Sequence, residues 1–304
     1  MSAERFRIAA AVAEALAAGR PVVALETTLV THGLPHPDGL ETARTLEREV
    51  AGAGATPATI GVLDGAVCVG LDAAQLGRLA TSPGVAKLNP GNLAAGVASG
   101  APGATTVAAT LFAAHRAGIH VFATGGIGGV HRDAARTGDE SADLAALARF
   151  PVAVVCAGAK AVLDLPRTLE RLETLGVPVL GWRTGEFPAF HRRESGLPVD
   201  ARFDAIAPLA EAVRLHFALG VGGGVVVANP IAEADALPRE RHDAALAGAL
   251  AAAEREGVRG RAVTPFLLER MRALTGGHSL RANVALLRGN ARLAGELAVA
   301  LAGS

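Results

Sequence analysis

Tyrosine is absent from the 304 residues, aromatics of every kind amount to 3%, and Trp182 is the single tryptophan. Stacking platforms for single-stranded nucleic acid are therefore hard to assemble. Neither sign of charge is in excess: 29 basic residues meet 29 acidic ones, for a formal net charge of zero. Without a run of Lys and Arg there is no nucleic-acid track and no polybasic anchor, so neither nucleic acid nor membrane is expected as a partner. Cysteine occurs twice, Cys68 and Cys156, each inside an apolar run (AVCVGL and VAVVCAG). These read as small buried hydrophobes and imply no disulfide framework. Zinc-type Cys/His spacing is absent throughout. The opening MSAERFRIAAAVAEALAAGR carries acids and continues as an amphipathic helix, unlike a signal peptide or a membrane span, so the cytoplasm is the expected location.

Lysine is the most telling scarcity. Of the 29 basic residues only Lys87 and Lys160 are lysine, the rest being arginine. Arginine stays protonated, whereas a desolvated lysine amine can lose its proton and attack an electrophilic carbon. Two lysines retained in such a chain point to amine chemistry, although drift in composition would also leave a few behind.

What is present is an α/β pattern, with half of the residues hydrophobic, enough for a large core. Short apolar runs predict strands at Val22 to Glu26, Thr59 to Leu63, Ala66 to Leu71, Val85 to Leu88, Ile119 to Thr124, Val152 to Ala157, Val177 to Trp182 and Val225 to Asn229. Helices are predicted at about residues 39 to 53, 104 to 117, 141 to 149, 166 to 175 and 205 to 219, with a wholly helical tail from Arg239. Asp64-Gly65 between two apolar runs reads as a hairpin turn, which joins antiparallel strands. That turn favours a three-layer α/β/α fold with a mixed central sheet and a helical C-terminal region over an eight-stranded barrel. No linker or internal repeat is evident, so residues 1–304 are expected to form a single domain.

Candidate chemistry gathers at strand ends. Glu26 closes the apolar run VVALE, a place suited to a proton donor and equally to a carboxylate held by backbone N–H groups. Gly125, Gly126, Gly128 and Gly129 precede His131 and Arg132, a loop that allows close backbone approach to an anion. It is neither the spaced dinucleotide fingerprint nor a Walker loop. His131, Asp133, Asp139, Glu140, Ser141 and Asp143 then offer oxygen-rich ligation suited to Mg²⁺ or Mn²⁺, while Ser141 reads equally as a helix N-cap. Lys160 follows the buried strand VAVVCA, where desolvation favours a neutral, nucleophilic amine. Lys87, in VAKLN, suits a phosphate contact or an ordinary edge-strand charge.

Taken together, ALETTLVTHGLPHP, PATIGVLDG, GATTVAAT, VFATGGIGGVHR, SADL, VVCAGAK, VVVANP, TPFLLER and SLRANVALL closely resemble the pseudouridine-5′-phosphate glycosidase family, also called indigoidine-synthase-A-like. The motifs run in order through nearly the whole chain. The resemblance implies reversible cleavage of the C-glycosidic bond of pseudouridine 5′-phosphate to uracil and ribose 5-phosphate. It further implies Glu26 as proton donor, Lys160 as nucleophile forming a lysine-sugar imine, Lys87 and Val107 as substrate contacts, and Ser141, Ala142 and Asp143 as a substrate-contacting segment. Asp139 matches a manganese ligand, one Mn²⁺ (or Mg²⁺) being expected per subunit, and Thr124, His131 and Asn283 match further pocket positions. A homotrimer is the expected assembly. A Schiff-base aldolase-type lyase and a non-catalytic sugar-phosphate-binding protein are the competing readings.

Overall fold

The computed structural model describes residues 5–259 and 263–303; the first four residues of the predicted N-terminal helix lie outside them. The strands are β1 (Phe6–Ile8), β2 (Val22–Leu25), β3 (Thr56–Leu63), β4 (Ala66–Val69), β5 (Ala86–Leu88), β6 (Gly103–Thr105), β7 (Val121–Ala123), β8 (Ala153–Cys156), β9 (Val179–Trp182), β10 (Ala201–Phe203) and β11 (Val225–Ala228). The helices are α1 (Ala10–Ala17), α2 (Asp38–Gly52), α3 (Ala73–Thr81), α4 (Leu93–Ser99), α5 (Val107–Ala117), α6 (Ala134–Thr137), α7 (Ala142–Arg149), α8 (Leu165–Thr174), α9 (Ile206–Ala218), α10 (Arg239–Arg255), α11 (Val263–Leu274) and α12 (His278–Ala302).

The sheet runs β1-β4-β3-β2-β7-β8-β11-β9-β10, with β6 pairing β3 and β5 pairing β6. Neighbours pair in parallel from β3 through β10, whereas β4 and β6 meet β3 antiparallel. A mixed, open sheet results, with β1 and β10 at the ends of its main path, and the barrel alternative falls. The sequences VVAL, VFA, AVVC and VVVA of β2, β7, β8 and β11 are buried throughout, as expected of parallel strands covered on both faces. The predicted hairpin is present: Leu63 pairs with Ala66 across Asp64 (φ 51°) and Gly65 (φ 66°). Two consecutive positive φ values are what a tight turn matched to the sheet twist requires.

All eight predicted strands form, and the additional ones, β1, β6 and β10, have three residues each, too few for an alternating pattern to stand out. β1 occupies part of the stretch read as the N-terminal helix, which starts at Ala10 instead. Likewise β6 takes the start of the helix expected from residue 104. That helix begins at Val107 because Thr106 caps it, its hydroxyl accepting the Ala109 N–H at 3.3 Å. α3 was legible in principle from a reciprocal Asp72/Gln75 capping box.

Helices cover both faces. α12 packs against α2, α9 and strands β2, β7 and β8, burying Leu286, Leu287, Ala291, Leu293, Ala294 and Leu297. Arg288 and Arg292 of the same helix both reach Glu49 of α2, at 2.7 and 2.9 Å. α5 packs against β2, β3 and β7 and against α7. Among the described residues no helix is long and apolar enough to cross a membrane.

Candidate active site

Three adjacent parallel strands, β2, β7 and β8, end side by side, and the segments leaving them carry Glu26, Thr124 and Lys160. The crevice beyond the carboxyl ends of parallel strands is where open α/β sheets bind ligands. Here it is a cavity of about 650 Å³ whose wall includes all eleven residues that the family resemblance implied, Glu26, Lys87, Val107, Thr124, His131, Asp139, Ser141, Ala142, Asp143, Lys160 and Asn283, together with Glu140, whereas Arg132 and Asp133 do not line it. That volume suits a nucleotide-sized ligand.

Glu26 is 5% exposed. Its two carboxylate oxygens accept from different hydroxyls, one from Thr124 at the end of β7 and one from Thr28 two residues on. Thr27, between them in the chain, turns the other way into a buried threonine cluster: it donates to Ile60 O at 2.8 Å and accepts the Thr105 N–H at 3.0 Å. The strand end carrying Glu26 is thus fixed from both sides. Neither Thr28 nor Thr27 was singled out from the sequence, although both sit in the ALETT motif.

Lys160 is half-buried and is reached through a loop that pairs with the glycine loop after β7. Its backbone N–H donates to Ile127 O at 3.0 Å, and Ile127 N–H donates to Gly158 O at 3.1 Å. Lys87 lies on β5, which pairs only with β6 and is an edge strand as the sequence allowed, but the side chain borders the cavity. Although it still meets solvent, crowding by the cleft holds its amine below the usual lysine value, and the neighbouring Lys160 charge pushes the same way. Glu26 and Asp143 oppose that shift. The two lysines, the glutamate and the aspartate therefore share one electrostatic neighbourhood.

The glycine loop is built for close packing. A Cβ on Gly128 would overlap Ser141 Oγ and come within 2.7 Å of Asp143 Oδ2; one on Gly129 would overlap Thr168. Gly128 N–H donates to Asp143 at 2.7 Å, and Val130 N–H to Thr168 Oγ1 at 3.0 Å. With Ile127 N–H also taken, these donors are not available to an anion. Asp143 is 4% exposed and also accepts the Ala108 N–H at 2.9 Å, so it braces the start of α5 against the loop. Ser141 does cap α7, accepting the Asp143 N–H at 3.2 Å. α5 and α7 both present their first residues, Val107 and Ala142, to the cavity, where a backbone N–H has no partner within its own helix.

Asp139 is half-buried on the cavity wall, and its backbone carbonyl accepts the His131 N–H at 3.1 Å. Among the described residues no three His, Cys, Asp or Glu side chains cluster as a metal cage. One carboxylate with open cavity beside it fits a largely hydrated hard cation and does not fit a stripped structural metal. Further wall residues unforeseen from the sequence are His32, on a wide helical turn over Leu29–Gly33, and Phe190, held at φ 60° with its ring against Gly126. Asn229 and Asn290, also unforeseen, lie behind the wall and hydrogen-bond each other at 2.9 Å.

A family model described as indigoidine synthase A like protein matches residues 11–300. The pseudouridine-5′-phosphate glycosidase of Methylobacterium nodulans is 56% identical over 293 residues, covering 96% of this chain and 87% of the relative. That of Streptomyces griseus is 54% identical over 296 residues, covering 97% and 92%. Among solved structures, the prealnumycin C-glycosynthase AlnA in complex with ribulose 5-phosphate superposes with a TM-score of 0.92 at 42% identity, covering 99% of this chain and 98% of that one. An indigoidine synthase A like protein from Thermotoga maritima superposes with a TM-score of 0.88 at 36% identity, covering 98% and 97%.

Proposed function

The chain belongs to the indigoidine synthase A like family, and from that premise we propose that it is an enzyme that reversibly cleaves the C-glycosidic bond of pseudouridine 5′-phosphate, giving uracil and ribose 5-phosphate. The observation that carries this reading is the meeting of buried Glu26 and half-buried Lys160, from strand ends on either side of β7, on one nucleotide-sized cavity. Relatives more than half identical over nearly the full length carry that activity in their names.

A carbon–carbon glycosidic bond has no leaving oxygen to protonate, so the two-carboxylate route of ordinary glycosidases does not apply. The Lys160 amine attacks the anomeric carbon, the bond from that carbon to the ring oxygen breaks, and Glu26 passes its proton to the departing oxygen. Glu26 recovers the proton shed by the lysine nitrogen and delivers it to C5 of the uracil ring. The nitrogen lone pair then forms the C=N bond as the C–C bond breaks, whose electron pair restores the uracil double bond. Water adds to the iminium and releases ribose 5-phosphate and the free amine. One difficult cleavage becomes several easier covalent steps.

Lys87 and His131 bind the phosphate, and the N-terminal N–H groups of α5 and α7 add to that site. A helix N-terminus favours an anion, which gives apolar Val107 and Ala142 a reason to touch substrate through backbone alone. Thr124, Ser141 and Asn283 supply polar contacts, and Asp143 acts by holding loop and helix in place. Asp139 would hold a divalent cation, Mn²⁺ or Mg²⁺, whose chemistry there is charge neutralisation beside the phosphate. A homotrimer acting in the cytoplasm completes the reading.

The test is to incubate the protein with uracil, ribose 5-phosphate and Mn²⁺ and to look for pseudouridine 5′-phosphate by mass spectrometry. Its formation is expected. Cleavage of other carbonyl substrates with no uracil-dependent synthesis would replace this reading with an aldolase-type lyase, and binding of ribose 5-phosphate without any product would leave a binding protein.

A further inference from the structure

Asn290 is fully buried on α12, among the leucines and alanines of that helix's buried face. Its amide nitrogen donates to Thr124 O at 2.8 Å, with Gly125 O at 3.4 Å, and its amide oxygen accepts from Asn229 Nδ2 at 2.9 Å. A buried amide is costly unless both ends are paired, and here they are, with groups from the segments that follow two different strands. Asn229 follows β11, Thr124 follows β7, and Asn290 joins them from the helix above. The pairing secures more than packing would need.

Thr124 is held at every polar atom. Its N–H donates to Val155 O at 3.0 Å, its carbonyl accepts from Asn290, and its hydroxyl donates to Glu26. The peptide planes before and after Thr124 are thus held by β8 and by α12, which fixes the direction of its Cα–Cβ bond and brings the hydroxyl within reach of Glu26. We propose that Asn290, supported by Asn229, is a positioning residue for the proton donor: it acts through Thr124 to hold the Glu26 carboxylate in register with the reacting carbon. The inference rests on Glu26 having the role given above. It assigns a catalytic consequence to a side chain that borders no part of the cavity. It also explains why α12, which lends Asn283 to the cavity wall, presents a second asparagine two turns later toward the same strand end.

The experiment is a double-mutant cycle on the full-length protein, measuring kcat, KM and the pH profile of kcat with pseudouridine 5′-phosphate. Asn290→Ser removes the donor to Thr124 O, and Thr124→Val removes the hydroxyl while keeping the carbonyl. Each single change is expected to lower kcat about 10-fold to 100-fold and to move the rate limb that responds to Glu26, Asn290→Ser with KM within about twofold and Thr124→Val with KM also raised, because Thr124 itself lines the cavity. In the Thr124→Val background, Asn290→Ser should cost less than about threefold, because its route to Glu26 is already broken. Leu293→Ala, on the same helix, should lower Tm at least as much while leaving kcat and the pH profile unchanged. Additive effects in the cycle, an unmoved profile, or an equal kcat loss in Leu293→Ala would each overturn the inference. Failure of the wild type to turn over that substrate would instead count against the functional reading, and the cycle would then be read on the rate of borohydride trapping with ribose 5-phosphate. Should Asn290→Ser not fold, Asn229→Ala enters the cycle in its place with the same expectations.

Discussion

Thr28 donates its hydroxyl to the carboxylate of Glu26, two residues earlier, where the chain leaves β2. A hydrogen bond to a charged group contributes about 1.5–3 kcal/mol, and losing it loosens a carboxyl that must be aimed at reacting atoms. Thr28→Val should therefore lower kcat about 10-fold to 100-fold with little change in Tm, and Thr28→Ser should restore most of it. Steady-state kinetics on the three proteins decide the matter. If Thr28→Val turns over normally, the Glu26 carboxylate does not need this partner.

The lysines separate by chemistry. Borohydride added to protein and ribose 5-phosphate should leave a reduced adduct on Lys160, mapped by peptide mass spectrometry. Lys160→Arg should abolish both adduct and turnover, since a guanidinium keeps its proton. Lys87→Arg keeps a cation but changes its geometry, so the adduct should persist while kcat/KM falls about 100-fold. The crowding that holds the Lys87 amine below the usual lysine value makes it the competing nucleophile. An adduct on Lys87 in the wild type would transfer the covalent role to it.

Asp143 braces two backbone N–H groups, Ala108 at 2.9 Å and Gly128 at 2.7 Å, in an environment only 4% exposed. Asp143→Ala leaves both donors buried and unpaired, each at a penalty of about 1–3 kcal/mol. A urea titration should show a stability loss of at least about 2 kcal/mol, together with a raised KM, because the start of α5 lines the cavity. A variant of wild-type stability with KM alone affected would make Asp143 a direct substrate ligand and nothing more.

The parts of this molecule that could be read from sequence are those set by local pattern. The buried parallel strands β2, β7, β8 and β11 show as unbroken apolar runs, and Asp64-Gly65 announces its turn through the φ values it must adopt. The residues on the cavity wall stood out because charged or basic groups ended those runs, or because ordered motifs resembled a family. The supporting hydrogen bonds did not. Asn229 and Asn290 carry no spacing rule, since their partners lie on other elements, Asn290 meeting Thr124 across 166 residues of chain; Thr28 bonds only two residues back, but nothing in the pattern ALETT says which threonine turns toward Glu26. The glycine loop was half legible, for its need of small residues was plain while its purpose, room for Ser141, Asp143 and Thr168, depended on segments not adjacent to it.

His191 gives the protein an acid-sensitive core. It is 2% exposed, neither ring nitrogen has a hydrogen-bond partner, and it packs against Phe190 and His242. Burial pushes the imidazole down to about 3, with the charges of His242 and His278 adding to the effect. His242 is lowered as well, chiefly by burial, with Arg192 contributing and Asp243 opposing. Below its ordinary value of 6.5 the unfolded chain takes up a proton that the folded state refuses at His191. Stability is therefore present above that pH and is lost as pH falls, by about 1.4 kcal/mol per pH unit for one such proton. The partnered carboxylates Glu49, Asp243 and Glu269 are held below their ordinary values and weaken only at lower pH, so the loss below 6.5 comes from the buried histidines, with half-buried His32 shifted the same way and Glu47, raised by burial, opposing them toward the acid end. Urea titrations over that range should show the loss, and His191→Phe should flatten its slope by one proton. An unchanged slope in His191→Phe would mean that His191 accepts its proton in the folded state.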